Sequence, residues 1–143
     1  MRAVLQRVTE ASVTVDGDVV GRIESPGLVV LLGITHDDGP DQVAWMVRKI
    51  RDLRIMREEK SVADLEAPVL LVSQFTLYGD ARKGRRPTWQ AAAPPPVAEP
   101  IVAQVRAGLE ALGTRVSSGV FGADMQVALV NDGPVTVVLE TPT

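Results

Sequence analysis

Two short apolar runs limit most strongly what this chain can fold into. Residues 28–34 read Leu-Val-Val-Leu-Leu-Gly-Ile, and residues 69–72 read Val-Leu-Leu-Val before polar residues begin. A run of this length without a polar face, rich in Val, Ile and Leu, indicates a strand that is buried on both sides. We therefore predict one such strand over residues 28–34 and a second strongly apolar strand over residues 69–77.

Alternation of apolar and polar residues predicts further strands, which are residues 4–8, 11–15, 19–23, 125–130 and 135–139. The residues Asp16-Gly17-Asp18 are a turn signal before the third of these segments. Between the last two segments lie Asn131-Asp132-Gly133-Pro134, which are typical of an ordinary turn. Proline cannot donate to a strand ladder, so a Gly-Pro pair between two strands is unusual.

Apolar residues recur at helical spacing over residues 43–53, which predicts a first helix. Asp38 or Gly39 is the expected N-cap, and Pro40 suits the first helical position. Residues 54–56 are predicted as a short strand. The charged residues 57–67 are predicted as a loop.

A second helical face covers residues 101–112 and is expected to end at Gly113. We place its start near Pro100, because proline breaks a helix that is already one turn long. The preceding residues 78–96 lack periodicity and are predicted as a long loop. Two helices and a larger number of strands predict a single α+β domain over residues 1–143, with a mainly antiparallel curved sheet or open barrel.

Composition excludes several kinds of catalytic site. The 143-residue chain has no cysteine and one histidine, His36, so thiolate catalysis and a multi-histidine metal site within one chain are excluded. His36 is expected to be a solvated loop residue, and the carboxylates, including Asp37-Asp38, are expected to be solvated charges. No dinucleotide or Walker motif is present, so we predict no cofactor and no metal.

Charge and hydropathy indicate a soluble cytosolic protein. The net charge of −3 argues against broad coating of nucleic acid or of an anionic membrane. No apolar run reaches the roughly 18 residues that a membrane span needs. The N-terminal residues alternate too early for a signal peptide. Backbone donors and the hydroxyls of Ser and Thr therefore remain as the main chemical groups.

Two segments stand out against this background. Ser73-Gln74-Phe75-Thr76-Leu77 ends the second apolar strand with polar residues, and Asn131-Asp-Gly-Pro-Val-Thr136 precedes the last strand. From periodicity alone, the first is a strand that reaches solvent and the second is a turn.

Together with Met1–Val15, Lys83–Thr88 and Phe121–Val127, these segments make the chain resemble the D-aminoacyl-tRNA deacylases from end to end. That family hydrolyses the ester that joins a D-amino acid, or glycine, to the 3′-terminal adenosine of tRNA. The resemblance implies a cytoplasmic homodimer with active sites at the subunit interface.

The resemblance also implies roles for individual residues. The Gly133-Pro134 peptide bond is expected to be cis and to enter the partner's pocket as a chirality gate, with Arg7 supporting it. Ser73, Gln74, Phe75 and Thr76 are expected to form the catalytic wall. Hydrolysis is then assisted either by Thr76 or, as the absence of a base favours, by the substrate 2′-hydroxyl.

Two further sets of residues follow from the same resemblance. Phe121 and Met125 are expected to line the adenosine pocket, and a basic cluster is expected to contact tRNA phosphates: Arg82, Lys83, Arg85 and Arg86. Two alternatives stay open. One is a non-catalytic RNA-binding or structural dimer, and the other is a sister deacylase, with a trans Gly-Pro bond, that removes L-alanine from mischarged tRNA.

Overall fold

The computed structural model describes residues 1–142. Its strands are β1 (Arg2–Val15), β2 (Asp18–Ile23), β3 (Gly27–Gly33), β4 (Val69–Ser73), β5 (Val116–Ser118) and β6 (Gln126–Glu140). Its helices are α1 (Pro40–Asp52), α2 (Val62–Leu65) and α3 (Pro95–Ala111), with 3₁₀ turns at Arg57–Glu59 and Phe75–Tyr78. No helix among residues 1–142 is long and apolar enough to cross a membrane.

The strands form one strongly curved sheet in the order β2-β1-β3-β4-β5. The long strand β1 pairs with β2 and β3 along one edge, and β6 pairs with its other edge. Pairings of β1 with β2, β3 and β6 are antiparallel, whereas β3-β4 and β4-β5 are parallel. The sheet curls until β5 lies beside β2, where the Ser117 hydroxyl donates to the Arg22 carbonyl over 3.0 Å. The predicted α+β class with a mainly antiparallel curved sheet is confirmed.

Side chains of β3 and β4 point into two separate cores. Leu71 packs in the core between the sheet and helices α1 and α3, together with Ile50 and Val105. Its neighbour Leu70 points into the core inside the curve of the sheet, together with Val13. The prediction of a strand buried on both sides is therefore confirmed for residues 28–33, and residues 69–72 of the second apolar strand are buried on both sides as well.

The last strand differs from its prediction as two strands separated by a turn. The chain does not reverse at Gly133-Pro134, and β6 pairs antiparallel with β1 on both sides of it. Gln6 is opposite Thr136 and Val8 is opposite Asn131, so residues 132–135 bulge outward opposite one residue of β1. A bulge leaves residues out of the ladder, so the missing proline N–H costs no hydrogen bond.

Smaller differences have local causes. The strand predicted to reach Leu77 ends at Ser73, and the residues after it turn into the 3₁₀ turn Phe75–Tyr78. Residues 54–56 do not form a strand. The predicted loop 57–67 contains α2, which begins with a capping box in which Ser61 and Asp64 bond each other's backbone N–H. The signal Ser61-x-x-Asp64 was present in the sequence.

Helix α1 begins at Pro40 after the N-cap Gly39, as predicted. Helix α3 begins at Pro95 rather than near Pro100, which lies inside the helix. Its core-facing residues Ala98 and Ile101 are buried on either side of Pro100. Packing of this continuous apolar face outweighs the single hydrogen bond that the proline removes.

Because Leu70 and Leu71 fill different cores, truncation of either one should destabilise the protein. We expect Leu70→Ala and Leu71→Ala each to lower the free energy of unfolding by about 2–5 kcal/mol in chemical denaturation. Leu112→Ala is the matched control: Leu112 is 55% exposed, so its loss should be below about 1 kcal/mol. A small loss at either buried leucine would contradict the two-core arrangement.

Candidate active site

The end of β4 carries the predicted catalytic wall. The Gln74 N–H donates to the Leu32 carbonyl over 2.7 Å, which extends the pairing with β3 by one bond beyond the strand. The chain then turns, with the Leu77 N–H donating to the Gln74 carbonyl and the Gly79 N–H donating to the Thr76 carbonyl. The Gln74 side-chain amide donates to the Thr76 hydroxyl. The first N–H groups of such a turn have no acceptor within it, so they are available to a ligand.

A cavity of about 410 Å³ opens beside this turn. Ser73, Gln74, Phe75 and Phe121 all line it. A second cavity of about 200 Å³ shares Ser73, Gln74 and Phe75 with it and is lined by Met125. The structure thus brings Phe121 and Met125 to the predicted catalytic wall, on two adjoining cavities.

The loop before α3 forms another part of the wall of the larger cavity and is bonded to the residues after β3. The Ala93 N–H donates to the Ile34 carbonyl over 2.9 Å, and the Thr35 hydroxyl donates to the Ala91 carbonyl over 2.6 Å. His36 is exposed, as predicted, and its Nε2 lies 2.7 Å from the Gln90 carbonyl oxygen. These bonds give His36 a structural contact and hold the cavity wall.

Asp38 differs from its prediction as a solvated charge, since its side chain is 3% exposed. Its carboxylate accepts from the Met1 ammonium over 2.7 Å and from the Thr35 N–H over 2.8 Å. Burial is tolerated because the charge is paired and bonded. Among residues 1–142, no three acidic or histidine side chains are grouped so that they could hold a metal ion.

Arg7 holds the bulge that contains Gly133-Pro134, whose peptide bond is cis, as the resemblance implies. The buried Arg7 guanidinium donates from Nε to the Asp132 carbonyl over 3.0 Å and from one terminal nitrogen to the Ile55 carbonyl over 3.2 Å. A Cβ on Gly133 would lie 2.6 Å from the other terminal nitrogen, and its φ of +123° favours glycine.

A second arginine at the bulge was missed in the sequence. Arg57 donates to both carboxylate oxygens of Asp132, over 2.6 and 3.3 Å. This hydrogen bond, with the nearby positive charges of Arg57 and Arg7, lowers the pKa of Asp132 below its ordinary value. A lowered pKa keeps the carboxylate charged as the pH falls, so the contribution of this pair is present at neutral pH and is lost only in acid. Sequence spacing could not reveal the pair, because its members are 75 positions apart.

Gly133 and Pro134 are exposed, and neither lines the two cavities formed by the described residues of the chain. Within one protomer, the bulge and the cavity wall are therefore separate features. The structure joins Arg7 to the bulge and joins Phe121 and Met125 to the turn after β4, but it does not join the two groups.

The basic cluster lies on a loop that a backbone pair closes. Asp80 and Thr88 exchange backbone hydrogen bonds of 2.8 and 2.9 Å, and all residues between them are exposed. Arg82 donates to both oxygens of the Asp80 carboxylate, over 2.9 and 2.7 Å, and these bonds lower the pKa of Asp80 to about 2. Arg82 is thus paired, whereas Lys83, Arg85 and Arg86 point their charge toward solvent.

Comparison with known proteins places this geometry in a family. Residues 4–140 match the family model described as D-Tyr-tRNA(Tyr) deacylase. Proteins named D-aminoacyl-tRNA deacylase from Thermobifida fusca (strain YX) and Streptomyces coelicolor (strain ATCC BAA-471 / A3(2) / M145) are 66% and 61% identical, each match covering 98% of this chain and 99% of the relative.

Two solved structures share the fold of this chain. One titled c-Myc DNA Unwinding Element Binding Protein superimposes with a TM-score of 0.93 at 42% identity and covers 100% of both chains. Another, titled as a probable eukaryotic D-amino acid tRNA deacylase, shares the fold at a TM-score of 0.82 and 17% identity, covering 96% of this chain and 97% of the other. The chain therefore belongs to the D-Tyr-tRNA(Tyr) deacylase family, the D-aminoacyl-tRNA deacylases.

Proposed function

We propose that this chain hydrolyses the ester bond of D-aminoacyl-tRNA, and of glycyl-tRNA, and releases free tRNA and the amino acid. The observation that carries the proposal is the cavity whose wall is Ser73-Gln74-Phe75, in a chain that is 66% identical to a protein named D-aminoacyl-tRNA deacylase. Removal of D-amino acids from tRNA is chiral proofreading, because it keeps these residues out of translation.

The chemistry relies on the main chain and on the substrate. Water attacks the ester carbonyl carbon, the bond to the ribose 3′-oxygen breaks, and that oxygen takes up a proton. Backbone N–H groups at Phe75 and Thr76 stabilise the charge that develops on the carbonyl oxygen. The Thr76 hydroxyl accepts a hydrogen bond from the Gln74 side chain, and no histidine or carboxylate among residues 1–142 bonds it and could activate it as a nucleophile. The substrate 2′-hydroxyl therefore assists the reaction.

Selectivity for D-amino acids requires a second subunit. Gly133 and Pro134 are exposed at the bulge of β6, and the exposed face of the same strand includes Val138, which lies opposite Val4 of β1. Val138 is 72% exposed, which is unusual for an apolar residue in the middle of a strand and favours burial against another chain. In the proposed homodimer, this face pairs with its copy and the bulge of one subunit enters the cavity of the other.

The gate acts by exclusion. Rigid main chain at Gly133-Pro134 occupies the space that an L side chain would need, and its carbonyl groups accept bonds from the substrate α-amino group. Rejection through a clash can exceed the preference that contacts alone provide. Glycine has no side chain to exclude, so glycyl-tRNA is accepted.

Two further contacts hold the tRNA end. Phe121 and Met125 offer an aromatic face and a thioether to the terminal adenine, because such groups suit a flat ring. In this proposal the basic loop contacts phosphates of the acceptor end through Arg82, Lys83, Arg85 and Arg86. Because Arg82 already pairs with Asp80, the other three supply most of the available charge.

The proposed activity predicts loss of the ester from D-Tyr-tRNA and glycyl-tRNA but not from L-Ala-tRNA. Incubation of the three substrates with purified protein, followed by measurement of the remaining ester, tests this directly. Hydrolysis of L-Ala-tRNA alone would identify the sister activity instead. Retention of all three esters would indicate a binding or structural protein.

Loss of the Arg7 support should weaken chiral discrimination. Hydrogen bonds to a charged group contribute roughly 1.5–3 kcal/mol, so Arg7→Ala should reduce the ratio of D-Tyr-tRNA to L-Tyr-tRNA hydrolysis by about tenfold or more. Arg57→Gln, at a side chain that is 65% exposed, should give a smaller change in the same direction without affecting folding. Arg22→Ala, remote from the bulge, is the control, and an unchanged ratio in Arg7→Ala would remove the proposed role.

Participation of the substrate hydroxyl predicts opposite results for two changes. Thr76→Ala should keep the rate within about tenfold of the natural protein, because no covalent intermediate forms on Thr76. D-Tyr-tRNA that ends in 2′-deoxyadenosine should react about 100-fold more slowly. This factor is the lower end of the rate enhancement that proton-transfer catalysis typically provides. Abolished turnover in Thr76→Ala with unchanged substrate binding would favour Thr76 as the nucleophile.

A further inference from the structure

Two aromatic side chains lie exposed at the mouth of the larger cavity. Phe75 is 57% exposed and Trp89 is 44% exposed, and both line the cavity. Their ring centroids are 5.4 Å apart with the planes at 72°, so they form one continuous apolar surface. Large exposed aromatic surface of this kind is uncommon on a protein without a binding role for it.

The Trp89 ring is fixed in place before any ligand binds. Thr88, the residue before it, exchanges two backbone hydrogen bonds with Asp80, and the Trp89 carbonyl accepts from the Ala92 N–H over 3.1 Å. The ring lies directly on Gly79, where an added Cβ would be 2.5 Å from a ring carbon. Because Gly79 supports one side of the ring and the backbone is bonded on both sides, little conformational entropy is lost when a ligand stacks on it.

The surroundings indicate which ligand fits this surface. Inward from the aromatic pair lies the apolar cavity, and outward lies the basic loop, residues 81–87, which carries four positive charges and no negative one. A single-stranded 3′ end carries its groups in the same order: the terminal nucleoside, then the next nucleobase, then phosphates that lead back to the duplex. Bases of single-stranded RNA are commonly held by stacking on aromatic side chains beside a basic groove.

We propose that Trp89, with Phe75 at its edge, stacks on the penultimate nucleobase of the tRNA 3′ end. The inference rests on the proposed function, because it assigns the terminal nucleoside to the cavities beside Ser73-Gln74-Phe75. Stacking uses the π face that every base has, so this contact tolerates any base and adds affinity without reading the tRNA sequence. Trp89 is thus a binding residue for the substrate, separate from the groups that act on the ester.

Kinetics with substrates of different length test the contact. D-tyrosyl-adenosine contains the ester and the terminal nucleoside but no penultimate base, whereas a D-tyrosylated minihelix contains both. Trp89→Leu should raise the KM for the minihelix about tenfold more than the KM for D-tyrosyl-adenosine, because only the minihelix loses a stacked penultimate base. Trp89→Phe should give an intermediate KM. Trp45→Leu, the matched change at the other tryptophan, should leave both values unchanged.

A minihelix with an abasic penultimate position makes the test specific. The natural protein should bind it about tenfold more weakly than the intact minihelix, whereas Trp89→Leu should bind the two equally, because the two changes remove the same contact. If Trp89→Leu still binds the abasic minihelix about tenfold more weakly than the intact minihelix, the proposal is overturned. An equal KM increase for D-tyrosyl-adenosine and the minihelix would also overturn it.

Fluorescence separates this proposal from the proposed function. In Trp45→Phe, Trp89 is the remaining tryptophan, so its emission reports stacking without turnover. Titration with a minihelix that carries D-tyrosine through a stable 3′-amide should quench the emission, and the abasic minihelix should quench it less. Quenching without ester hydrolysis of the matched substrate would contradict the proposed function alone, whereas hydrolysis without quenching would overturn the stacking proposal alone.

Discussion

The doubly buried pair of parallel strands, β3 and β4, is the contact on which the rest of the structure depends. The two strands pair from Leu28 opposite Val69 to Leu32 opposite Ser73. One further hydrogen bond, from the Gln74 N–H to the Leu32 carbonyl, extends this pairing. Two cores hold this pair from both sides, so the point at which the chain leaves it is fixed. The turn Phe75–Tyr78 and the cavity beside it take their positions from that point, which gives the candidate site a precise geometry.

A second constraint acts at the bulge of β6. There a buried arginine of β1 holds the residues that do not pair with β1. Arg7 lies opposite four residues of β6 and bonds the carbonyl groups of Asp132 and Ile55. A hairpin turn would have reversed the chain there, whereas the bulge keeps β6 paired with β1 and presents Gly133-Pro134 at the surface. The two groups of predicted site residues thus lie apart within this chain.

Sequence patterns predicted those elements whose determinants are local. Helix α1 was predicted to its first residue, because Gly39, Pro40 and the apolar spacing after them all lie within one segment. The start of α3 was wrong because Pro100 acts locally against a helix, while the opposing packing of Ala98 and Ile101 comes from distant strands. The solvated state predicted for Asp38 was wrong for the same reason, since its partner is the Met1 ammonium, 37 positions away.

By itself, the sequence determined the α+β class, the two apolar strands and the absence of thiol chemistry, and through its resemblance it predicted the site residues. These properties follow from composition, from periodicity and from short motifs, which are all local. Only the tertiary structure decided that β6 passes through Gly133-Pro134 without reversing, that Arg57 pairs with Asp132, and that Trp89 lies on Gly79 at the cavity mouth. Each of these depends on groups that approach one another in space, and neither spacing nor propensity encodes such an approach directly.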